Sequence, residues 1–314
     1  MDRKVLFLDT VHPILEERLT SLGYSCEFDL SFSKQDIEVK MANYFGIVIR
    51  SRITIDANFL EKATHLKFIA RSGAGLENID VAAAERRGIK VFNSSEGNKD
   101  AVGEHAVGML LMLFNQLKKG DAEVRKGVWD REGNRGLEIA GKTVGIIGYG
   151  NMGSAFAKKL AGFNCKVIAY DKYKKNFNDN FVEEVDLDTL LKTTDILSIH
   201  LPQSEETYHY VNTAFISKFK KPIYLINTAR GSNVCVADLL EALKNKKVLG
   251  ACLDVLEYET KSFETINAEE LPEDFNYLAQ SEKVILSPHV AGWTKESYVK
   301  LSNFLADKIE KEFG

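Results

Sequence analysis

The sequence has few cysteines, no long apolar run and no excess of charge of one sign. Its four cysteines, Cys26, Cys165, Cys235 and Cys252, are scattered without a C-x-x-C pair, so neither a disulfide framework nor a redox motif is indicated. No apolar run approaches the roughly 20 residues that span a bilayer, and no secretory signal pattern is visible. A cytoplasmic protein that does not contact a membrane is expected.

Composition narrows the class of protein further. The formal net charge of −4 provides no basic surface for nucleic acid or for anionic lipid. With 45% hydrophobic and 27% charged residues, the chain is typical of globular proteins. Its 314 residues exceed one ordinary core, which predicts two domains. Internal repeats, low-complexity tracts and proline-rich linkers are absent from the sequence, and no metal site is predicted.

Apolar segments alternate with amphipathic ones along most of the chain. In the first hundred residues, "KVLFLD", "FGIVIRS", "LKFIARSG" and "IKVFNS" have the pattern of buried parallel strands. The amphipathic segments between them, such as "DVAAAERRG", end in glycine as helices commonly do. This alternation predicts an α/β fold with a doubly wound parallel sheet. A second series predicts strands at 143–148, 166–170, 195–200, 223–228, 249–254 and 283–287.

The segments between the two series suggest how the domains are joined. "KDAVGEHAVGMLLMLFNQLKKG" has helical periodicity and is long enough to link two domains, and a polar arm follows it up to about residue 140. Region 257–282 is charged and weakly periodic, which predicts a long loop. A last helix over 294–312 is expected to return to the first domain. The predicted domains are therefore 1–98 with 290–314, and 99–289.

The strongest local motif is "VGIIGYGNMGSAFAKKL". Gly148, Gly150 and Gly153 form G-x-G-x-x-G between a predicted strand and a predicted helix, where they permit a tight turn, close approach of a pyrophosphate and close helix packing. The free N–H groups at the helix start, near Asn151 and Met152, would face the anion. A dinucleotide is the predicted ligand, and a glycine-rich turn without a ligand is the alternative.

Asp171 ends the next predicted strand, about twenty residues further on. A carboxylate there can accept both ribose hydroxyls of NAD and would repel the 2′-phosphate of NADP. Lys172, Lys174 and Lys175 follow it, so strict exclusion of NADP does not follow from the sequence.

Polar residues follow several other predicted strands, at the sheet edge where open α/β sheets bind ligands. An arginine such as Arg230 offers a planar fork for a substrate carboxylate, although a helix-capping or surface role is the alternative. His289 can act as an acid/base near neutral pH, although a structural role is the more frequent one for a lone histidine. The full set comprises Arg50, Arg52, Arg71–Leu76, His200, Pro202, Asn227–Gly231, Asp254 and His289.

A hydride-transfer site also needs a carboxylate that orients the imidazole. The stretch "ACLDVLEYETKSF" offers Asp254, Glu257 and Glu259 within six positions. The residues alone do not decide among these acids.

With these motifs the chain resembles the D-2-hydroxyacid dehydrogenases over nearly its full length. The resemblance lies in "RSGAGLENID", "GKTVGIIGYGNMG", "HLPQSEET", "INTARG", "LDVLEYE" and "SPHVAGW". It implies two Rossmann-like domains, a flavodoxin-like substrate domain and an NAD-binding domain, with the active site in the cleft between them. It also implies that Arg230 binds the substrate carboxylate, that His289 is the acid/base, and that Glu259 orients His289 and favours its protonated form.

The resemblance further implies NAD as cofactor and a homodimer, for which the arm with Trp129 is a candidate element. Asp254 would bind the nicotinamide carboxamide. The remaining cofactor contacts would come from His200, Leu201, Pro202, Thr228 and Ala229, together with Arg230 and His289. The substrate carboxylate would be held by the backbone of Ser72, Gly73, Ala74 and Gly75.

Within the family, "IRSR", "NSSEGN" and "GVWD" resemble the branch that oxidises 3-phosphoglycerate, the first step of serine biosynthesis. There Arg50 and Arg52 would bind the substrate phosphate, with surface ion pairing as their alternative. Glyoxylate or hydroxypyruvate reduction is the second candidate activity, and an NAD-sensing corepressor is a candidate from another class. Two residues depart from the family: Thr260 replaces a proline, and Trp293 replaces a small residue. Trp293 would line the pocket or cover the nicotinamide, or else anchor the last helix as a core aromatic.

Overall fold

The structure is a computed structural model that describes residues 3–259 and 271–314. The chain divides into two compact units, of which the first contains the chain up to Lys99 and Trp293–Gly314. The second begins at Asp100 and ends at Gly292. Thr260, the departure from the family noted above, lies outside the described residues.

The first unit is a parallel sheet flanked by helices. Its strands are ordered 2-1-3-4-5, and every pairing among them is parallel. This is the flavodoxin-like order, which confirms the predicted fold of this part. The half-exposed strand Ser25–Phe28 was not predicted, because "SCEF" is short and lies at the sheet edge. The elements are β1 (Lys4–Phe7), α1 (Ile14–Ser21), β2 (Ser25–Phe28), α2 (Lys34–Lys40), β3 (Gly46–Ile49), α3 (Ala57–Lys62), β4 (Phe68–Arg71), α4 (Val81–Arg86), β5 (Lys90–Phe92) and α12 (Lys295–Phe313).

Helix α12 completes the core of this first unit. Its Leu305, Ala306 and Ile309 are buried in one cluster with Val5 and Phe7 of β1. The helix begins at a capping box formed by Thr294 and Ser297, which satisfies backbone groups at the helix start. The last helix therefore packs against strands from the first part of the chain.

The second unit is a larger parallel sheet, ordered 12-11-10-9-6-7-8. The order reverses between the strands numbered 6 and 9, which creates the edge crevice where such sheets bind ligands. Its elements are α5 (Lys99–Phe114), α6 (Leu117–Val124), β6 (Thr143–Ile147), α7 (Asn151–Lys159), β7 (Lys166–Tyr170), β8 (Glu183–Glu184), α8 (Leu187–Thr193), β9 (Ile196–Ile199), α9 (Thr213–Ile216), β10 (Ile223–Asn227), α10 (Val236–Lys244), β11 (Val248–Leu253), α11 (Glu273–Gln280) and β12 (Val284–Leu286).

Two segments of this unit differ from the sequence-based expectation. The linking helix is interrupted at Gln116, whose φ of 51° is left-handed and ends the regular hydrogen bonding between α5 and α6. The predicted loop over 257–282 contains α11, whose Leu278 is fully buried. The loop prediction was wrong there because the apolar face of a two-turn helix is too short to stand out among charges. In the described part of the chain, no helix is both long and apolar enough to cross a membrane.

Candidate active site

The glycine loop after β6 has the shape of a pyrophosphate cradle. A side chain at Gly148 would meet the His200 carbonyl at 2.4 Å, and one at Gly153 would meet the Gly148 carbonyl at 2.2 Å. Gly148 also has a φ of +91°, which favours glycine. A side chain at Gly150 would meet nothing within 4 Å. Two glycines are thus required by packing, whereas the open space beside Gly150 fits a ligand that approaches the backbone.

Asp171 lies directly after β7 and binds the same loop. Its carboxylate accepts hydrogen bonds from the backbone N–H of Tyr149 at 2.8 Å, Tyr173 at 2.9 Å and Lys174 at 2.8 Å. Burial raises the pKa of the Asp171 carboxyl, but these N–H groups outweigh that effect and leave the pKa below its usual range. Asp171 is therefore a fixed anion that can still accept ribose hydroxyls. Asn151 and Met152 form the first turn of α7 beside it.

His200, Leu201 and Pro202 follow β9 at the same edge. Burial without a compensating charge lowers the pKa of His200 to about 4, so its ring is neutral near pH 7. Its Nε2 pairs with the Ser198 hydroxyl at 2.9 Å. A neutral, half-buried imidazole suits the predicted cofactor contact and makes His200 a poorer acid/base than His289. Pro202 is fixed through its carbonyl, which accepts from the Thr207 hydroxyl at 2.6 Å.

The turn after β10 presents Arg230. Asn227, which is completely buried, shapes this turn: its amide donates to the Arg230 carbonyl at 2.9 Å, and its side-chain oxygen accepts from the Ala229 N–H at 3.1 Å. Thr228 and Ala229, which precede Arg230 in this turn, are buried. The Arg230 side chain is half-buried and donates to the Ala229 carbonyl at 2.6 Å. Asn227 has a positioning role that sequence reasoning did not assign, although the motif "INTARG" contained it.

His289 follows β12 and is paired with Glu259. The Nδ1–H of His289 donates to Oε2 of Glu259 at 2.5 Å, and the other carboxylate oxygen accepts from the Leu256 N–H at 2.6 Å. Only 10% of the Glu259 side chain is exposed, against 26% for His289. The backbone of His289 is left-handed, with a φ of 54°, a conformation that is uncommon outside glycine and is found at functional sites.

Asp254 holds the loop that carries His289. One carboxylate oxygen accepts from the Ser287 hydroxyl at 2.6 Å and the Val290 N–H at 2.9 Å, and the other accepts from the Ala291 N–H at 2.9 Å. The Asp254 carbonyl accepts from the His289 N–H at 2.8 Å. Asp254 is thus a positioning residue, and its contact with a nicotinamide carboxamide stays a prediction. His105 extends this network to the Ser287 hydroxyl at 2.9 Å, a link between distant segments that no sequence pattern indicated.

Glu257 is not a second partner for His289. It pairs instead with His209, whose Nε2 lies 2.6 Å from Oε2 of Glu257, and its other oxygen accepts from the Val236 N–H at the start of α10 at 2.8 Å. The acidic stretch after β11 therefore forms two separate His–Glu pairs. The choice of Glu259 over Glu257 as the partner of His289 agrees with this geometry.

In the first unit, the loop after β4 contains Ser72, Gly73, Ala74 and Gly75. The N–H groups of Ser72 and Gly73 are engaged, with the Ile49 carbonyl at 2.8 Å and the Ser94 hydroxyl at 3.1 Å respectively. Those of Ala74 and Gly75 hydrogen-bond to no residue that the structure describes. Only the second half of this loop can therefore offer backbone donors to a substrate.

The two arginines after β3 have different environments. Arg52 donates to the carbonyls of Leu8 at 2.6 Å, Phe32 at 2.7 Å and Asp29 at 2.5 Å. Three of its N–H groups are engaged by the protein, which gives Arg52 a structural role and makes it a poorer phosphate ligand than the sequence suggested. Arg50 instead stacks on the ring of Trp293, 4.2 Å from the ring centroid.

Arg50 and Trp293 line a cavity of about 370 Å³ within the first unit, together with Thr10, Thr294, Lys295 and Tyr298. Trp293 is 52% exposed, so the alternative that it is a core aromatic was wrong. The cavity brings two cations, Arg50 and Lys295, to one concave surface. Lys295 was not singled out in the sequence, because a lysine at the start of a helix is an ordinary surface residue.

The second unit therefore combines a dinucleotide cradle with a His–Glu pair at one sheet edge, an arrangement typical of nicotinamide-dependent oxidoreductases. The family model described as "D-isomer specific 2-hydroxyacid dehydrogenase, NAD binding domain" matches residues 107–291. The chain belongs to this family, and NAD is the cofactor that its matched domain binds.

Individual relatives carry different names. The chain is 34% identical to a D-3-phosphoglycerate dehydrogenase of Archaeoglobus fulgidus over 95% of its own length, but spans only 55% of that relative. It is 37% identical to a hydroxypyruvate reductase of Thermotoga maritima, with 85% of this chain and 84% of the relative covered. Among solved structures, a D-lactate dehydrogenase of Aquifex aeolicus complexed with NAD and lactic acid is similar with a TM-score of 0.83 and 27% identity, covering 98% of this chain and 95% of the other.

Proposed function

We propose that the protein catalyses the NAD-linked interconversion of a D-2-hydroxy acid and its 2-keto acid. The observation that carries this proposal is the hydrogen bond from His289 Nδ1 to Glu259. Because Nδ1 is shared with Glu259, we assign Nε2 as the ring nitrogen that exchanges a proton with the substrate hydroxyl. When bound, NAD supplies the acceptor for the hydride from C2 of the hydroxy acid.

The protein's own groups handle the proton and the charge. His289 removes the hydroxyl proton during oxidation and returns it during reduction. Glu259 is an anion next to the imidazolium that forms, so it stabilises the protonated ring. The guanidinium of Arg230 binds the substrate carboxylate and polarises the keto oxygen. The N–H groups of Ala74 and Gly75 are proposed as further donors to that carboxylate.

We propose 3-phosphoglycerate as the substrate. This is supported by the Arg50 and Lys295 pair at the cavity of the first unit, since two cations suit a dianionic phosphate. Lys295 thereby replaces Arg52 in the role expected from the sequence. The relative named D-3-phosphoglycerate dehydrogenase agrees with this choice. The relative named hydroxypyruvate reductase supports a second candidate, reduction of hydroxypyruvate or glyoxylate.

Steady-state kinetics test the proposal. The purified protein should form NADH with 3-phosphoglycerate, and His289→Ala should lower kcat by about 10² to 10⁴-fold while NAD still binds. Higher kcat/KM with hydroxypyruvate or glyoxylate than with 3-phosphohydroxypyruvate would assign the second candidate. Binding of NAD without turnover of any 2-hydroxy or 2-keto acid would favour an NAD-sensing binding protein.

A homodimer and a cytoplasmic location complete the proposal. The arm after α6 exposes Val128, Trp129 and Leu137, with Trp129 78% exposed, and such apolar patches commonly mark interfaces. Light scattering of Trp129→Asp against the wild type tests this assignment: a lower mass is expected for the variant. The four free cysteines are consistent with a reducing compartment.

A further inference from the structure

Three side chains with metal-binding atoms converge beside the proposed active site. They are His209, from the loop after β9, Cys235, directly before α10, and Glu257, from the loop after β11. One ligand atom of each lies within 4.8 Å of the others. Each of the three residues is half-buried.

Backbone hydrogen bonds fix the segments that carry these side chains. The His209 N–H donates to the Ser232 carbonyl at 2.7 Å, and the Cys235 N–H donates to the Val211 carbonyl at 3.0 Å. His209 is held in a left-handed conformation with a φ of 47°, and its ring stacks on Tyr208 at 4.0 Å between centroids. The cluster is therefore built on a rigid frame, as a binding site requires.

Glu257 is also oriented by a second contact. One of its carboxylate oxygens accepts from the Val236 N–H, which leaves Oε2 directed at His209. Hydrogen bonds of this kind fix the ligands of metal sites. A simple ion pair would use His209 and Glu257 alone. The sulfur of Cys235 takes no part in such a pair, yet it lies within 4.8 Å of the ligand atoms of both residues.

From this arrangement we propose that His209, Cys235 and Glu257 bind one divalent transition-metal cation of the zinc type, with water as the fourth ligand. Imidazole, thiolate and carboxylate are the three ligand types that zinc takes in proteins. Around a tetrahedral zinc ion, ligand atoms lie about 3.3–3.8 Å apart, given its bond lengths. To reach this geometry, the His209 and Glu257 ligand atoms, now 2.6 Å apart, must move apart by about 1 Å. The Cys235 sulfur must move closer to them by about 1 Å at most. Changes of side-chain torsion angles can provide both movements.

The bound cation would join three loops at the carboxyl edge of the sheet. One of them is the loop after β11, in which Glu259 follows Glu257 by two positions. The cation is assigned no part in hydride transfer. Its effect is to tie down the segment from which Glu259 reaches His289, and this effect is independent of which 2-hydroxy acid the protein uses.

Cobalt titration of chelator-treated, reduced protein tests the site directly. One equivalent of Co²⁺ should bind per chain and produce a thiolate-to-cobalt charge-transfer absorption, which Zn²⁺ then removes by displacement. Cys235→Ser should abolish this absorption and weaken Co²⁺ binding at least tenfold, and His209→Ala should weaken binding to a similar extent. Cys165→Ser, a change at a half-buried cysteine outside the cluster, serves as the matched control and should bind as the wild type does.

A second measurement needs no variant. In the wild-type chain, one equivalent of Zn²⁺ should slow alkylation of Cys235 at least tenfold, as read by mass spectrometry of its peptide, and leave the rate at Cys165 unchanged. Zn²⁺ should also raise the melting temperature of the wild type. Absence of stoichiometric binding, an unchanged absorption in Cys235→Ser, or equal alkylation rates at Cys235 with and without Zn²⁺ would each overturn the proposal.

Discussion

Glu259 and His289 are joined by a 2.5 Å hydrogen bond between a carboxylate that is 10% exposed and an imidazole that is 26% exposed. The two residues come from loops after adjacent strands, since β11 pairs directly with β12. Parallel pairing places the carboxyl ends of these strands side by side. A distance of thirty residues along the chain therefore becomes one side-chain contact.

Glu259→Gln should lower kcat by about 10²-fold, because a neutral amide stabilises the imidazolium less than a carboxylate does. The pH dependence of kcat should shift as well. The matched control is Glu85→Gln, an exposed glutamate of α4, which should retain wild-type turnover. Glu257→Gln should show a different defect, a lower melting temperature, because Glu257 caps α10. A larger loss of turnover in Glu257→Gln than in Glu259→Gln would contradict the assignment.

Alanine substitutions in the glycine loop should separate folding from cofactor binding. Gly150→Ala should leave the melting temperature near that of the wild type and weaken NAD binding at least tenfold, because its side chain occupies open space. Gly153→Ala should cost about 1–3 kcal/mol of unfolding free energy, since its side chain would meet backbone at 2.2 Å. Thermal melts and NAD titrations of both variants measure these effects. Normal NAD affinity in a folded Gly150→Ala protein would exclude the proposed cradle.

Alanine substitution should affect activity at Arg50 and stability at Arg52. Arg50→Ala and Lys295→Ala should each lower kcat/KM for 3-phosphoglycerate by about 10-fold to 100-fold, with little change for D-glycerate, because each removes one cation from the phosphate. Arg52→Ala should instead lower the unfolding free energy by about 2 kcal/mol, since three carbonyls lose a charged donor. Equal losses on both substrates in Arg50→Ala would remove the support for a phosphate ligand.

Asp254→Ala should destabilise the protein and inactivate it together. The change leaves the Val290 and Ala291 N–H groups and the Ser287 hydroxyl without their acceptor in a buried site, at a cost of about 3 kcal/mol or more. Turnover should fall at least 10²-fold, because His289 loses its support. Asp186→Ala, which removes an exposed cap of α8, is the control and should lower stability less than Asp254→Ala does, without loss of kcat. Urea unfolding and initial rates provide both readouts.

His200 should make the protein less stable in mild acid. Its folded pKa of about 4 lies below the ordinary value of 6.5, so the unfolded chain binds the extra proton between those values. Stability from this group is complete above pH 6.5 and falls by about 3 kcal/mol as the pH approaches 4. Urea unfolding at pH 7 and pH 4.5 should show a smaller difference for His200→Gln than for the wild type. The same pH dependence in both proteins would show that His200 does not titrate in this way.

Much of the site was predictable because its parts follow strands. Apolar runs locate the strands, and polar residues shortly after each run, such as Asp171, Asp254 or Arg230, then lie at the ligand-binding edge. What the sequence could not supply was the partner of each polar group. Arg50 and Arg52 are alike in the motif "IRSR", but their surroundings differ in the structure. Backbone carbonyls surround Arg52, whereas the ring of Trp293 faces Arg50.

The same reasoning explains the remaining differences. His209, Cys235 and Glu257 are far apart in the sequence and match no ligand spacing, so their convergence depends on loops that the sheet topology brings together. The sequence indicated neither a disulfide nor a redox motif for Cys235. Helix α11 and strand β8 are short and only partly buried, so their apolar pattern is too weak to distinguish from a loop.

The burial of α12 against β1 has a consequence for biosynthesis. As the ribosome extends the chain, β1 through β5 emerge first but lack Leu305, Ala306 and Ile309 to cover Val5 and Phe7. The first unit cannot close until translation has passed through the whole second unit. We therefore expect the order of folding to run against the usual vectorial order. The cofactor-binding half should become protease-resistant on the nascent chain before the half that precedes it.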